Sequence, residues 1–163
     1  MHTVYIGLGS NLVEPERQLK KAVEALTLIE QTLLVQVSSL YASKPMGPQD
    51  QPDYMNAVAK VETKLSPIEL LDNLQQIELT AGRVRKEERW GARVLDLDIL
   101  LIDNLVIDTP RLTVPHYGMK VREFVIYPLA EISPNLTLPD GTLVTELKAD
   151  LPENDLVIIG QLH

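Results

Sequence analysis

The connection between two predicted strands is the feature that most restricts this fold. It runs over the eleven residues from Ser43 to Asp53 and contains three prolines. Because proline has no N–H to donate, neither a helix nor a strand ladder continues through such a stretch, which predicts a loop. The strands that it joins are Leu34–Tyr41 and Met55–Thr63. Parallel neighbours would need a crossover, usually a helix, so these strands are predicted to be antiparallel, and a doubly wound sheet fits less well.

Hydrophobic periodicity predicts the remaining elements. A first strand, Thr3–Leu8, leads into Gly7–Asn11, which is interpreted as a capped tight turn. A later helix has clear start signals, because Ser66 offers an N-cap and Glu69 a capping-box partner. The other predicted elements are a helix from Pro15 to about Gln31, that helix from Pro67 to about Ala81, a strand Val94–Ile102, a short return arm Leu105–Ile107, a short helix within Lys120–Ala130, a helix Leu143–Ala149 and a last strand Asp155–Gly160.

This order, β-α-β-β-α-β, is the ferredoxin-like pattern of an α/β (α+β) fold. It predicts a mainly antiparallel sheet with helices packed on one face. The segment after Asp140 is predicted to extend that core with a possible extra strand. A chain of 163 residues is expected to form one domain, residues 1–163, with a core large enough to need no metal or disulfide staple.

Composition excludes several classes of protein. The net charge of −8 argues against a general binder of nucleic acid or of anionic membranes, which needs a positive surface field. The absence of cysteine excludes disulfides, zinc–thiolate sites and thiol nucleophiles. No leader and no apolar stretch approaching the roughly 20 residues that span a bilayer is found, so a cytoplasmic protein is expected.

Two acids interrupt the apolar strand Val94–Ile102. Strict alternation places Val94, Asp96, Asp98 and Leu100 on one face and Leu95, Leu97, Ile99 and Leu101 on the other. The two carboxylates are then about 7 Å apart at the backbone, a spacing that suits the binding of Mg²⁺ together with substrate phosphates. The alternative is a solvated face of an amphipathic edge strand.

A basic segment lies directly upstream of the acids. Residues 83–93 carry five cationic and two anionic side chains, a net charge of +3. Arginine forks beside a carboxylate pair indicate a polyphosphate site, because guanidinium groups make bidentate bonds to phosphate oxygens. A solvated charge run is the alternative. The chain has no Walker A sequence and its glycine turn lacks the third glycine of a dinucleotide loop, so a nucleotide would be bound by other means.

Six ordered motifs together resemble the 6-hydroxymethyl-7,8-dihydropterin pyrophosphokinases of folate synthesis, over about residues 3 to 140. They are Gly9-Ser10-Asn11, Gly47–Asn56, Gly82–Arg85, Arg89-Trp90-Gly91, Asp96–Ile99 and Val114–Tyr117. The resemblance implies a ferredoxin-like fold, two Mg²⁺ ions and transfer of the β,γ-diphosphate of ATP to the pterin hydroxymethyl oxygen, with release of AMP.

The resemblance also implies roles for individual residues. Asp96 and Asp98 would bind the two magnesium ions, and Arg83 and Arg93 would contact the nucleotide phosphates as part of the catalytic set. The residues that match the pterin pocket are Ser43, Met46, Tyr54, Asn56, Trp90 and Phe124. Those that match nucleotide contacts are Gln75, Glu78, Arg85, Arg89, Ile99, Arg111, Thr113, His116, Tyr117 and Arg122. The proline-rich loop and the Arg83–Arg93 loop are interpreted as lids that exclude water.

Two other hypotheses remain open at this point. The chain could be a non-catalytic ferredoxin-like module that binds a nucleotide or anion, although such a module has no need of both a metal pair and an aromatic pair. It could also be part of a fusion with other folate enzymes, which its length and N-terminal methionine oppose. The expected partners are two small molecules, ATP and the pterin, with no nucleic acid or membrane, and a monomer is expected from the family resemblance.

Overall fold

The computed structural model describes residues 1–10, 14–43, 54–82, 95–154 and 156–162. Within these residues lie eight strands, four α-helices and one 3-10 helix. In chain order they are β1 His2–Ser10, α1 Pro15–Thr27, β2 Thr32–Val37, β3 Ser39–Ser43, β4 Tyr54–Thr63, α2 Pro67–Gly82, β5 Asp96–Ile102, β6 Ile107–Asp108, β7 Thr113–Val114, the 3-10 helix Met119–Val121, α3 Glu123–Ile132, α4 Val144–Asp150 and β8 Val157–Gln161.

The main sheet has the strand order β5-β1-β4-β3-β8, and β2 pairs with β4 beside β3. All of its pairings are antiparallel, which confirms the predicted ferredoxin-like arrangement. The single strand predicted over Leu34–Tyr41 is wrong in one respect, because Ser38 divides it into β2 and β3. The Ser38 N–H donates to the Val58 carbonyl at 2.9 Å, and the Val58 N–H donates to the Ser38 hydroxyl at 2.9 Å. The serine side chain thus replaces one rung of the ladder.

Apolar side chains cover both faces of the sheet. On one face, Val4, Ile6 and Leu8 of β1 pack with buried residues of α1 and α2. On the other face, Tyr5 packs with buried residues of α3 and α4. The expectation of helices on one face is therefore incomplete, because the predicted helix within Lys120–Ala130 folds back as α3 onto the second face. Tyr5 is also joined to α3 through a hydrogen bond of 2.6 Å with Ser133 at its C-terminal end.

A β-bulge in β5 breaks the strict alternation that was expected there. The register passes from Tyr5↔Leu101 to Ile6↔Ile99, so Leu100 is an extra residue opposite β1. Leu100 and Leu101 consequently both contribute to the cluster under α3, whereas Leu97 and Ile99 face α1 and α2. The predicted placement of Leu101 beside Ile99 is wrong because a bulge resets which face the following residues occupy.

The smaller elements follow the predictions with limited changes. Helix α1 ends at Thr27, short of Gln31, and the arm after the Asp103-Asn104 turn pairs as β6 with β7 and not with β5. Helix α2 has its capping box, since the Ser66 N–H donates to Glu69 Oε1 at 2.9 Å and the Glu69 N–H donates to Ser66 Oγ at 3.2 Å. Strand β8 pairs with β3, which confirms the added strand. In the described ranges, no helix is long and apolar enough to cross a membrane.

Candidate active site

A row of three residues crosses three neighbouring strands on the face covered by α3. Asn56 of β4 is opposite Gly9 of β1, and Gly9 is opposite Asp96 of β5. Residues opposite one another in an antiparallel pair share a face, so these three side-chain positions lie side by side. Asp98 follows on the same face of β5, opposite Gly7. The carboxylate pair predicted from alternation is therefore confirmed, with a glycine beside each acid.

The two glycines belong to a strand and not to a turn. Strand β1 continues through Gly7 and Gly9 to Ser10, so the tight turn predicted over Gly7–Asn11 is wrong for residues 7–10, while Asn11 lies outside the described residues. A Cβ atom on Gly9 would lie 2.9 Å from Asn56 Nδ2, closer than side-chain packing allows. A continued alternation of β1 would have indicated that these glycines share a face with Tyr5. What it could not indicate is that Asn56 fills the space beside one of them.

Asn56 carries an unsatisfied acceptor. The residue is only 8% exposed, and its Oδ1 atom has no hydrogen-bond partner among the residues that the structure describes. A buried oxygen without a donor costs about 1–3 kcal/mol, so such atoms usually mark a place where a ligand or water binds. Asn56 is thus suited to accept a hydrogen bond from a bound molecule that presents an N–H group.

Three further predicted pterin residues, Ser43, Tyr54 and Phe124, lie among the described residues. Tyr54 is on the same face of β4, two residues before Asn56, and is opposite Ser43 at the end of β3. Phe124 lies in the first turn of α3, which packs against β4 on this face, and it contacts the cluster under α3. Met46 and Trp90 lie outside the described residues. In the described part of the predicted pocket, Tyr54 and Asn56 therefore share the face of β4 against which α3 packs.

His116 is held beside the acids by the bulge in β5. Its N–H donates to the carbonyl oxygen of Leu100, the extra residue, at 3.0 Å. Its Nδ1 atom accepts a hydrogen bond from the Gly118 N–H at 3.1 Å, so the neutral ring has its proton on Nε2, which lies 3.9 Å from Asp98 Oδ2. Burial lowers the pKa of His116 and Arg122 adds to this, while Asp98 opposes it. The ring is therefore a neutral N–H donor directed toward the carboxylate pair.

Arg122 connects the histidine segment with the aromatic residue of α3. Its guanidinium carbon lies 5.8 Å from the ring centre of Tyr117 and 5.8 Å from that of Phe124. Tyr117 in turn stacks on His116, with ring centres 4.8 Å apart. A Cβ atom on Gly118 would be 3.0 Å from the Arg122 guanidinium, so this group packs directly over the glycine backbone. The structure thus brings three predicted nucleotide residues together beside one predicted pterin residue.

Three of the other predicted nucleotide residues, Gln75, Glu78 and Arg111, lie on α2 or bond to it. An Arg111 guanidinium nitrogen donates to Asp72 at 2.7 Å and to Gln75 at 2.9 Å, and Thr113 lies two residues further along, in β7. Glu78 accepts a hydrogen bond from the Leu97 N–H at 2.8 Å on the outer edge of β5. Ile99 is only 4% exposed and packs in the core on the α1 and α2 face, away from the face of Asp96 and Asp98. Arg83, Arg85, Arg89 and Arg93 lie outside the described residues.

Asp96 and Asp98 fit the binding of a hard divalent cation. They lie on an edge strand, and the side chain of Asp98 is 49% exposed, so water and phosphate can reach it. In the described ranges, no group of three or more histidine, aspartate or glutamate side chains could enclose a metal ion. Mg²⁺ commonly binds through one or two carboxylates and completes its shell with water and phosphate oxygens. The donor set therefore favours an ion that arrives with a phosphate ligand.

Sequence reasoning missed a polar cluster that ties α3 to β3 beside Asn56. Glu131 of α3 accepts hydrogen bonds from the Ser39 N–H at 3.0 Å, the Ser39 hydroxyl at 2.8 Å and the Tyr41 hydroxyl at 2.7 Å. Tyr41 is the register partner of Asn56, so the cluster ties α3 to the strand next to that residue. The sequence signal that could have indicated this cluster is the position of Glu131. It follows Phe124 by seven residues, which places both on the same face of α3.

Known proteins resemble this chain along nearly its whole length. A pyrophosphokinase, 2-amino-4-hydroxy-6-hydroxymethyldihydropteridine pyrophosphokinase, from Haemophilus influenzae is 55% identical over 157 residues, covering 96% of this chain and 98% of the relative. The protein of the same name from Pseudomonas aeruginosa is 54% identical over 149 residues, covering 91% of each.

A solved structure of similar fold is that of Plasmodium falciparum HPPK-DHPS, a triple mutant with STZ-DHP. It has a TM-score of 0.70 at 12% identity and covers 91% of this chain. This chain spans 43% of that protein, so the likeness concerns the fold of this part alone. The family model described as 7,8-dihydro-6-hydroxymethylpterin-pyrophosphokinase (HPPK) matches residues 5–134, a range that includes the whole row from Asn56 to Asp96. Given this match and the close relatives, the chain belongs to the HPPK family.

Proposed function

We propose that this protein is an ATP-dependent diphosphotransferase of folate biosynthesis. It transfers the β,γ-diphosphate of ATP to the hydroxymethyl group of 6-hydroxymethyl-7,8-dihydropterin and releases AMP. Its family membership and the names of its relatives support an enzyme over a non-catalytic module. The structural observation that carries the proposal is the row Asn56–Gly9–Asp96, which puts a buried unsatisfied amide oxygen two strands from a carboxylate pair.

The reaction needs two substrates to meet along that row. The pterin hydroxymethyl oxygen attacks the β-phosphorus, forming a new O–P bond. The bond between that phosphorus and the bridging oxygen of the α-phosphate breaks, so AMP leaves with the oxygen, and the hydroxyl proton is released. Since such a transfer requires mainly position and charge neutralisation, no protein general base is proposed.

On the pterin side, we assign the positioning of the heterocycle to Asn56, Tyr54 and Phe124, with Ser43 and Met46 in contact through their backbones. The Oδ1 atom of Asn56 would accept a hydrogen bond from the polar edge of the ring, which would satisfy an otherwise unpaired buried acceptor. Phe124 would stack on one face of the ring and Trp90 on the other. The polar edge would thereby be fixed near β4 and the hydroxymethyl group directed toward β5.

On the nucleotide side, we assign phosphate contacts to His116, Tyr117 and Arg122, together with Arg83, Arg85, Arg89 and Arg93. The Nε2–H of the neutral His116 ring already faces the space beside Asp98 and would donate to a phosphate oxygen there. Arg111, Thr113, Gln75, Glu78 and the backbone of Ile99 would contact the rest of the nucleotide. Asp96 and Asp98 would hold two Mg²⁺ ions, which would neutralise charge on the phosphates of ATP.

The decisive experiment is to incubate the protein with ATP, Mg²⁺ and the reduced pterin alcohol and to identify the nucleotide product. AMP together with a pterin diphosphate is expected, and omission of the pterin should abolish its formation. Formation of ADP and a pterin monophosphate would refute diphosphate transfer. Tight nucleotide binding without any turnover would favour the regulatory module.

We further propose a cytoplasmic monomer whose partners are these two small molecules and neither nucleic acid nor a membrane. The net charge of −8 supports the exclusion of polyanionic partners. Light scattering coupled to gel filtration at micromolar protein concentration should give the mass of one chain, 18.2 kDa. A stable mass of twice that value would refute the monomer.

A further inference from the structure

We propose that Gly9 is a positioning residue that determines pterin specificity, because the absence of a side chain there allows the Asn56 amide to occupy its binding position. The inference deepens the proposed function and rests on it. It concerns a residue that contributes no polar group to either substrate. Its contribution is the space that it leaves between Asn56 on β4 and Asp96 on β5.

A side chain at this position would collide with the Asn56 amide as it now stands. A Cβ atom on Gly9 would lie 2.9 Å from Asn56 Nδ2 and 3.9 Å from the Met55 carbonyl oxygen. The first distance is below normal van der Waals contact, so the amide would have to rotate or move away. Gly7, on the same face of the same strand, differs in this respect, since the three atoms nearest to its Cβ atom would be Leu100 side-chain atoms at 3.4 Å or more.

Asn56 has little freedom to move toward β3 or along β4, because two of its described neighbours are tightly held. Its register partner in β3 is Tyr41, which is buried and bonded through its hydroxyl to Glu131 at 2.7 Å. Val58, the next residue on this face of β4, is fully buried. A methyl group at residue 9 would therefore change the direction of the Oδ1 atom and could not simply be absorbed by a shift of the amide toward β3.

The direction of Oδ1 matters because this atom is buried and unpartnered within the described part of the chain. A ligand that presents an N–H at the right place gains a hydrogen bond and relieves the cost of the unpaired acceptor. A ligand without such a group leaves that cost in place, which is how a buried polar group discriminates between substrates. Gly9 would thus act on recognition of the heterocycle through Asn56, and not on the nucleotide.

The test is a double-mutant cycle between residues 9 and 56, read by direct binding. The variants are Gly9→Ala, Asn56→Ala and the double variant, with Gly160→Ala as a matched control, since a Cβ atom on Gly160 of β8 would meet nothing within 4 Å. Pterin affinity is measured by fluorescence titration of the pterin alcohol without ATP. Nucleotide affinity is measured separately with a non-hydrolysable ATP analogue and Mg²⁺.

We expect Gly9→Ala to weaken pterin binding about tenfold or more, the loss expected from one hydrogen bond to a substrate, with nucleotide affinity within about twofold of wild type. In the Asn56→Ala background, which has no amide to displace, Gly9→Ala should change pterin affinity by less than about twofold. Wild-type pterin affinity in Gly9→Ala, an equal loss for both substrates, or additive effects would each overturn the inference.

Two further readouts keep the outcome unambiguous. If Gly9→Ala does not fold, the double variant provides the test. A melting temperature and pterin affinity equal to those of Asn56→Ala would show that the strain arises at the amide. A double variant that is also unfolded would refute the inference. Measurements on the wild-type protein distinguish a failure of this inference from a failure of the proposed function. Wild-type protein that binds the pterin but forms no AMP rejects the transfer and leaves Gly9 testable, whereas active wild type with an unaffected Gly9→Ala variant rejects only the role of Gly9.

Discussion

At the scale of single residues, the polar side chains of the site have room because the residues opposite them on β1 are glycines. Asp96 and Asp98 each lie opposite a glycine of β1, and the same glycine that faces Asp96 also makes room for Asn56. His116 is directed at Asp98 by two contacts with backbone groups, since its N–H donates to Leu100 O and its Nδ1 atom accepts from the Gly118 N–H. Acid, amide and imidazole are therefore positioned by the backbone of strands and turns.

The first prediction concerns Asp98. Replacing it with alanine should lower kcat by about 100-fold or more at saturating Mg²⁺, the effect expected when one electrostatic contact to a transition state is lost. The exposed Asp108 of β6 is the matched control, and Asp108→Ala should keep near wild-type turnover. Steady-state formation of AMP measures both. Turnover near wild type in Asp98→Ala would refute the assignment of this residue to the metal.

At the scale of elements, helices α2 and α3 hold the two sides of the site. The capping of α2 at its start and the attachment of α3 to the sheet fix their positions. Helix α2 carries Gln75 and Glu78, and its first turn is closed by the reciprocal bonds of Ser66 and Glu69. Helix α3 begins next to Arg122 and Phe124, and Glu131 ties its other end to β3. Each helix is thus anchored by side-chain hydrogen bonds that do not themselves involve the residues assigned to substrates.

The second prediction tests the capping box of α2. Ser66→Ala should lower the free energy of unfolding by about 1 kcal/mol, because the Glu69 N–H loses its acceptor. Ser66→Asp keeps an oxygen at the same place and should retain most of the stability. Urea unfolding followed by circular dichroism compares the variants. Equal stability of the alanine and aspartate variants would show that the cap contributes nothing here.

The third prediction tests the link between α3 and β3 through its pH dependence. Burial raises the pKa of Tyr41 well above its ordinary value of 10.0, and the hydrogen bond to Glu131 raises it further. A raised folded pKa contributes stability that is complete below about pH 10 and is lost as the pH rises from there toward the folded pKa. The melting temperature of wild type should therefore exceed that of Tyr41→Phe at pH 8, by a margin that shrinks above pH 10.

A Glu131→Gln background provides the control for this link. Removing the carboxylate removes one cause of the raised pKa, so Tyr41→Phe should have a smaller effect on the melting temperature there. If the margin between wild type and Tyr41→Phe stays constant from pH 8 to pH 11, the inferred protonation of Tyr41 is wrong.

At the scale of the whole molecule, the last strand joins the two ends of the chain in one sheet. Strand β8 pairs with β3, and Leu162 directly after it is 8% exposed in the core between the sheet and helices α1 and α2.

Net charge also has to be judged at two scales. The total of −8 coexists with a segment of +3 at residues 83–93, so exclusion of polyanionic polymers does not exclude a phosphate-bearing small molecule.

The fourth prediction tests whether the C-terminal strand is part of the core. Leu162→Ala should lower the free energy of unfolding by about 2–5 kcal/mol, the range for a buried leucine replaced by alanine. The matched control is Val157→Ala at the start of β8, where the residue is 53% exposed, and a change within about 0.5 kcal/mol is expected. Both are measured by urea unfolding, and a loss in Leu162→Ala no larger than in the control would show that this end is peripheral.

Local patterns in the sequence determined much of this protein. The alternation in β4 and β5, the proline-rich connection and the capping box of α2 depend on neighbours along the chain, and they predicted the antiparallel core and the Asp96–Asp98 pair. The roles of individual residues came from the family resemblance, because residue types alone leave a solvated acidic face and a solvated charge run as open alternatives.

The tertiary structure alone decided how those elements meet. The division of β2 from β3 depends on Ser38 meeting Val58, and the face of Leu101 depends on a bulge opposite β1. The closeness of Gly9 to Asn56 and the seating of α3 on the second face arise between segments far apart in sequence. Periodicity along a chain reports which face a residue occupies. It does not report which strand becomes the neighbour, and that pairing is what places Gly9 between Asn56 and Asp96.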